Sequence, residues 1–281
     1  MPELPEVETV CVELSKHILN KQILKILTHQ KKYVHGPVDT AINQSVIAVF
    51  RMGKYVILHL SSGNFIVIHL KMSGRLLIAK SDDPINKHLK ISFVMTDDIR
   101  LDFQDVRKFG YLEYCSSIEF LEEKLGIEPI SDYFTLQGFQ EILKKKKKSS
   151  LKPFLLDQKN IAGIGNIYAD EICFVAGISP FSRVEKLTDE NHEKLFHAIK
   201  EVLKFAIQKQ GTSLGKGLSN FKTPNGEEGR NYEGLKVYGQ QGLNCLRCGN
   251  VIQKCKFASR GTHFCPNCQP DLNDESTCNR C

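Results

Sequence analysis

The chain opens Met1-Pro2-Glu3-Leu4-Pro5-Glu6, and removal of Met1 leaves proline at the terminus, a secondary amine with no preceding peptide bond. A terminal amine titrates near ~8 against ~10.4 for lysine, so far more of it is unprotonated at neutral pH. Such an amine attacks an electrophilic sugar carbon and forms an iminium, the covalent logic of a lysine Schiff base. Glu3 and Glu6 stand close enough in sequence to supply or remove protons beside it, and a carboxylate shielded from water has its pKa raised toward the working pH. The same hexapeptide, followed by Val7, Glu8, Val10, Val12 and Leu14, also fits an ordinary helix start with proline in the first turn and acids at the positive dipole end.

A second chemistry lies at the other end. Cys245-Leu246-Arg247-Cys248 is followed, after sixteen residues, by Cys265-Pro266-Asn267-Cys268. Two such knuckles supply four thiolates in tetrahedral reach, the closed shell of one structural Zn2+. Seven of the ten cysteines fall between Cys245 and Cys281, a crowding that favours metal over disulfides. Cys11, Cys115 and Cys173 lie in apolar stretches and are expected in the core. Between the knuckles, 251–254 and 262–264 are predicted to pair as a hairpin whose tip, Ala258-Ser259-Arg260-Gly261, aims Arg260 outward.

Three further clusters suit a polyanion. Asn160 to Glu171 places Gly163 and Gly165 directly before a predicted helix start at Asn166, where free N–H groups bind phosphate oxygens. Arg51-Met52-Gly53-Lys54-Tyr55 sets basic residues at a strand start. Met72 follows a strand end, and Asp105-Val106-Arg107-Lys108-Phe109-Gly110 holds a basic and aromatic pair in a turn. Met and Phe usually fill cores, but on turns beside Arg and Lys they can wedge into a base stack.

The elements that must position these groups follow from periodicity. After a first helix, β-rich runs at 23–27, 46–50, 55–60, 65–70, 76–79, 91–94, 101–103 and 111–114 are split by turn signals and read as an antiparallel sandwich. Helical spacing occupies 153–210, and 211–234 is a Gly, Ser and Asn-rich loop of functional or mobile character. We divide the chain into a catalytic sandwich domain at 1–115, a linker leading into the second domain at 116–150, a helical domain with a loop at 151–234, a zinc finger at 235–269 and a tail at 270–281. The lysine run 144–148 suits a nucleic-acid patch and equally a solvated helix face or a flexible linker.

With 281 residues, 41% apolar and 25% charged, the chain is globular, and its net charge of +6 suits a polyanionic partner. No apolar run reaches the ~18 residues of a membrane span, and the acidic start is unlike a secretory signal. A cytoplasmic, nucleoid-associated monomer is expected, with no membrane partner.

Over essentially its full length the chain resembles the bacterial formamidopyrimidine-DNA glycosylases, relatives of endonuclease VIII. The resemblance rests on five signatures in order: Pro2 to Val10, Arg51 to Tyr55, Asp105 to Gly110, Leu155 to Tyr168, and Cys265 to Gln269. It implies an α+β protein of two domains, an N-terminal antiparallel β-sandwich flanked by helices and a C-terminal helical domain with a helix-two-turn-helix and a zinc-finger β-hairpin, with double-stranded DNA between them. Carried over by position, Pro2 is the nucleophile at C1′ and Glu3 assists opening of the deoxyribose ring. Lys54 serves β-elimination as proton donor or phosphate ligand, and Arg260 serves δ-elimination. His88, Arg107, Lys152 and Asn166 contact DNA, while Met72, Arg107 and Phe109 fill the gap left by the flipped nucleotide.

The implied activity is excision of oxidised purines, 8-oxoguanine and formamidopyrimidines, with cleavage at the resulting abasic site. Leu4, rather than glycine, after Pro2-Glu3 favours this branch over the oxidised-pyrimidine enzymes of endonuclease VIII type. That branch and a non-catalytic damaged-DNA-binding protein are the rival readings. A loop closing over the lesion falls within 212–228. Three departures from the pattern stand out. Ser259 replaces a usual glycine, Gln240 replaces a basic residue and removes one expected phosphate contact, and the tail adds Cys278 and Cys281 to a segment expected to be disordered and without a role.

Overall fold

The computed structural model describes residues 1–273 apart from 216, 218 and 219, so Cys278 and Cys281 lie outside the described residues. Two compact units emerge: Met1–Glu123 with Ile207–Tyr232, and Lys124–Ala206 with the chain from Glu233 onward.

The first unit begins with helix α1 (Leu4–Ile18). Leu4, Val7, Val10, Cys11, Leu14 and Ile18 form one buried stripe at helical spacing. The stripe packs on strands β3 (Val46–Met52), β4 (Tyr55–Leu60) and β6 (Gly74–Lys80). The remaining strands are β1 (Ile23–Thr28), β2 (Val34–His35), β5 (Phe65–His69), β7 (Leu89–Met95), β8 (Ile99–Asp105) and β9 (Tyr111–Cys115). They form one sheet in the order β1-β7-β8-β6 and a second in the order β2-β9-β5-β4-β3. A single apolar cluster draws on both sheets and α1, as a sandwich requires. In β4 and β5, Val56, Ile57 and Leu58 and Ile66, Val67 and Ile68 are buried on both faces, which is why they read as unbroken apolar runs instead of alternating ones.

Two details depart from the expected sandwich. The short strand β2, within the connection from β1 to β3, joins β9 in parallel at the edge of its sheet. The glycine-rich stretch after residue 210 is more than a loop. Phe221 enters the sandwich core, and the Pro224 carbonyl accepts the Ile78 N–H at 2.9 Å.

The second unit contains α3 (Leu136–Lys145), α4 (Leu151–Leu156), α5 (Asn166–Ala176) and most of α6 (Asp189–Gln208), following the short α2 (Glu119–Lys124). Phe134 lies 5.6 Å from Phe139 and 5.0 Å from Phe196 between ring centroids, and Phe139 lies 6.2 Å from Phe154, a continuous aromatic chain through the core. Helices α4 and α5 pack together across the two turns of 157–165, and Gln158 braces that loop by donating to the Leu156 and Ile164 carbonyls and accepting the Gly163 N–H. Strands β10 (Gln253–Phe257) and β11 (Arg260–Phe264) form the hairpin, which Phe174, Val237 and Ile252 join to α5. The start of the tail is ordered, contrary to expectation: Leu272 N–H donates to Ser182 Oγ, and Asn273 pairs with Phe181 and Arg183. Cys115 is partly exposed where a core position is expected, since it ends β9; Cys11 and Cys173 are buried. No helix among the described residues is long and apolar enough to cross a membrane.

Candidate active site and nucleic-acid interface

In the first unit Pro2 and Glu3 are buried at the start of α1 while Met1 is exposed. Glu3 is the helix N-cap and forms a capping box with Glu6, the reciprocal arrangement that satisfies two orphan N–H groups. One Glu6 oxygen accepts the Glu3 N–H at 2.8 Å and the other the Thr212 N–H at 2.7 Å. Gly211 has φ +81, and a Cβ there would meet Glu6 Cγ at 2.9 Å. Glu6 is therefore an anchor for the first turn and the 211–212 backbone, a role that differs from the proton exchange its sequence position suggests.

Lys54 occupies the second position of the two-residue turn between β3 and β4, after Gly53 at φ +54. Arg51 holds that hairpin to α1 through Glu8 at 2.8 Å, and its guanidinium also donates to the Gly53 carbonyl at 3.0 Å. Lys54 is itself largely buried.

His69, which sequence reasoning missed, stands opposite Tyr55 in the β4–β5 ladder. Its Nδ1 accepts the Lys71 N–H at 3.0 Å, which leaves the ring hydrogen on Nε2. Burial first, then the nearby Lys71 and Lys54 ammoniums, pushes its pKa down to about 3. A neutral donor beside a lysine suits an anionic oxygen. The signal available in the sequence was a polar residue ending the apolar strand Phe65–His69.

Met72 and Phe109 are 38% and 56% exposed at the ends of two turns, and Arg107 lies over the Phe109 ring at 5.5 Å. Lys71 and Lys108, each directly before one of these apolar residues, have left-handed φ of 52° and 63°. Asp105, also unremarked in its motif, is fully buried beneath the turns. His88 is half-buried, and its carbonyl accepts the Asp105 N–H at 3.0 Å.

In the second unit the sulfurs of Cys245, Cys248, Cys265 and Cys268 lie within 4.8 Å of one another. The pairs Cys245–Cys268 and Cys248–Cys265 are separated by 3.8 and 3.5 Å. Tetrahedral zinc with bonds of about 2.3 Å sets its sulfurs about 3.8 Å apart, so this donor set fits one zinc ion.

Arg260 is exposed but does not sit at the hairpin tip as expected. It is the first residue of β11, opposite Phe257, and the tip is Ala258-Ser259 with φ of 47° and 63°. Both tip residues are left-handed because a two-residue turn must match the strand twist. Lys152 lies in α4 and faces the hairpin. It is 1% exposed, and its ammonium meets Asp170 at 2.6 Å, the Gly261 carbonyl at 2.8 Å and Thr262 Oγ1 at 2.9 Å. Two hydrogen bonds and one ion pair thus brace Lys152 against the hairpin and α5. Asn166 begins α5 half-exposed, and its amide also donates to the Gly261 carbonyl, at 3.0 Å. Asp170 further accepts from the His263 backbone N–H at 2.9 Å.

The chain matches three families of known domains: the formamidopyrimidine-DNA glycosylase N-terminal domain over residues 1–112, the formamidopyrimidine-DNA glycosylase H2TH domain over 125–216, and the zinc finger found in FPG and IleRS over 242–270. The formamidopyrimidine-DNA glycosylase of Carboxydothermus hydrogenoformans is 38% identical over 274 residues, covering 96% of this chain and 100% of the relative. That of Enterococcus faecalis is 40% identical over 278 residues, covering 96% and 97%. Among solved structures, Lactococcus lactis Fpg in complex with DNA containing an abasic site superposes with a TM-score of 0.88 at 37% identity, covering 96% of this chain and 100% of that one. MutM in complex with DNA containing carbocyclic 8-oxo-G gives 0.87 at 37% identity, with the same coverage.

Proposed function

The chain belongs to the formamidopyrimidine-DNA glycosylase family, and on that premise we propose that it removes 8-oxoguanine and formamidopyrimidines from duplex DNA through an iminium at Pro2, then cleaves the strand by β,δ-elimination. The enzyme class, a base-excision glycosylase with abasic-site lyase activity, follows from the family. The observation that carries the finer reading is the buried Pro2-Glu3 pair clamped by Glu6 at the start of α1.

Once Met1 is removed, the Pro2 nitrogen attacks C1′ and the damaged base departs with the glycosidic electron pair. Glu3 protonates the ring oxygen as the deoxyribose opens. The secondary amine gives an iminium that is cationic without further protonation, so it acidifies the 2′ hydrogens. Loss of a 2′ proton expels the 3′ phosphate, and a second elimination, assisted by Arg260, expels the 5′ phosphate. The product is a one-nucleotide gap flanked by phosphates. Lys54 and His69 hold a phosphate oxygen near this chemistry. His88, Arg107 and Asn166 contact the DNA backbone, and Met72, Arg107 and Phe109 occupy the space of the everted nucleotide, since unstacking costs a few kcal/mol that inserted side chains offset. Zinc, held by Cys245, Cys248, Cys265 and Cys268, stabilises the hairpin that carries Arg260. The lesion-closing loop falls within 212–228, and the enzyme acts on DNA of the cytoplasmic nucleoid as a monomer.

Borohydride trapping on a duplex with 8-oxoguanine opposite cytosine tests the reading. A covalent complex mapped by peptide mass to Pro2 is expected. Trapping only on an oxidised pyrimidine would move the substrate to the other branch, and no adduct even on an abasic site would support a binding protein without chemistry. The variant Pro2→Gly keeps a terminal amine, so the mapped position decides the matter.

A further inference from the structure

The two turns that bear Met72 and Phe109 are neighbouring connections between the two sheets, one from β5 to β6 and the other from β8 to β9, and one carboxylate holds both. Asp105 is 0% exposed. Its Oδ1 accepts from Ser73 Oγ at 2.5 Å and from the Arg107 N–H at 3.1 Å. Its Oδ2 accepts the Phe109 and Gly110 N–H groups at 2.7 Å each. The Arg107 N–H is shared with Ser73 Oγ at 2.9 Å. Ser73 thus reaches from the first turn into the second, and Asp105 is the common acceptor.

The backbone around this carboxylate leaves little freedom. In both turns a left-handed lysine precedes the apolar residue, a conformation that disfavours side chains and persists only where the surroundings enforce it. Both turns close on a glycine. A Cβ at Gly74 would collide with the Leu70 backbone, standing 2.9 Å from its Cα, and one at Gly110 would meet the Phe103 ring at 2.8 Å and Asp105 Oδ2 at 3.3 Å. The hydrogen bonds to this buried carboxylate come from neutral donors of both turns, with the Lys90 ammonium close enough to feel its charge, and a buried charge that loses a donor is costly.

We propose that Ser73 and Asp105 are positioning residues that lock the two turns into one rigid wedge, so that Met72, Arg107 and Phe109 enter the base stack together. The inference rests on the wedge reading given above. A wedge that pushes on stacked bases must not yield. If the turns moved independently, the work of unstacking would be dissipated in bending them, and duplex lesions would suffer more than sites with no base to evert.

The test compares two substrates across Ser73→Ala, Asp105→Asn and Phe109→Ala, with thermal melting to confirm folding. For Ser73→Ala, single-turnover excision of 8-oxoguanine opposite cytosine is expected to fall about tenfold, the effect of losing one hydrogen bond to a buried charge. Trapping at a preformed abasic site is expected to stay within about twofold, because no base remains to be unstacked. Asp105→Asn turns one acceptor into a donor and should show the same selective loss; if it does not fold, Ser73→Ala alone decides. Selective loss in Phe109→Ala without it in Ser73→Ala overturns the lock and keeps the wedge. Equal loss on both substrates in Ser73→Ala reduces the pair to a structural role and also overturns the proposal. If Phe109→Ala is not selective, the wedge reading fails and takes the lock with it.

Discussion

At the scale of single residues, burial turns familiar groups to specific uses. His69 is held neutral by burial and by Lys71 and Lys54, with Tyr55 and Tyr111 packed on its ring. Its folded pKa near 3 lies below the ordinary 6.5, so the unfolded chain binds a proton that the folded one refuses. Stability contributed by this site is full above pH 6.5 and is lost as pH falls toward 3, with a slope of at most about 1.4 kcal/mol per pH unit. Urea unfolding at about pH 7 and about pH 5, on either side of the ordinary histidine range, should show a larger drop for the parent than for His69→Gln; equal drops would refute the assignment. Glu6 is the complementary case, a buried carboxylate engaged by two backbone donors. Glu6→Ala should cost about 1–3 kcal/mol by leaving the Glu3 and Thr212 N–H groups unpaired, and should slow trapping because Pro2 is no longer fixed. Unchanged trapping would separate the anchor from the chemistry.

Among the elements, the zinc hairpin and its brace decide where Arg260 stands. Ser259 adopts φ 63° at the tip, a conformation costing a non-glycine residue roughly 1 kcal/mol. Ser259→Gly should therefore raise stability by up to about 1 kcal/mol, less the added freedom of the unfolded glycine, measurable by denaturant midpoint; destabilisation would mean that the serine makes an interaction outweighing its strain. Removal of zinc by a chelator should release one ion per chain and expose four thiols to a thiol reagent, because a site of four cysteine ligands supplies much of the folding energy of so small a hairpin. Strand cleavage should then fail. Full cleavage by the metal-free enzyme would show that the Lys152–Asp170 brace suffices without metal.

For the molecule as a whole, charge is unevenly placed. The five lysines 144–148 account for all but one unit of the net charge of +6. They run from the end of α3 along backbone held by the Val184 and Glu185 N–H groups, at 2.9 and 3.1 Å, with Lys146 3.6 Å from Asp157. Substituting Lys144, Lys145, Lys147 and Lys148 by Gln should reduce the slope of log K against log salt by roughly 0.9 for each phosphate no longer neutralised, while single-turnover excision at saturating enzyme stays at the parent rate. An unchanged slope would return the run to an ordinary solvated helix end.

What the sequence determined by itself was whatever depends on short-range spacing. The α1 stripe, the unbroken runs of β4 and β5, the paired Cys-x-x-Cys knuckles and the Pro2-Glu3 terminus are each legible because periodicity and ligand spacing are local properties. The tertiary structure decided which polar groups were left to act. Lys152 and Arg260 are both basic residues that the sequence offers to DNA, yet one is braced against Asp170, Gly261 and Thr262 while the other is exposed on β11. Glu6 finds Thr212 across 206 residues of sequence, and Ser73 finds Asp105 across 32. Such pairings follow from how strands and helices pack, so a buried charge and its partner become visible only once the chain has closed around them.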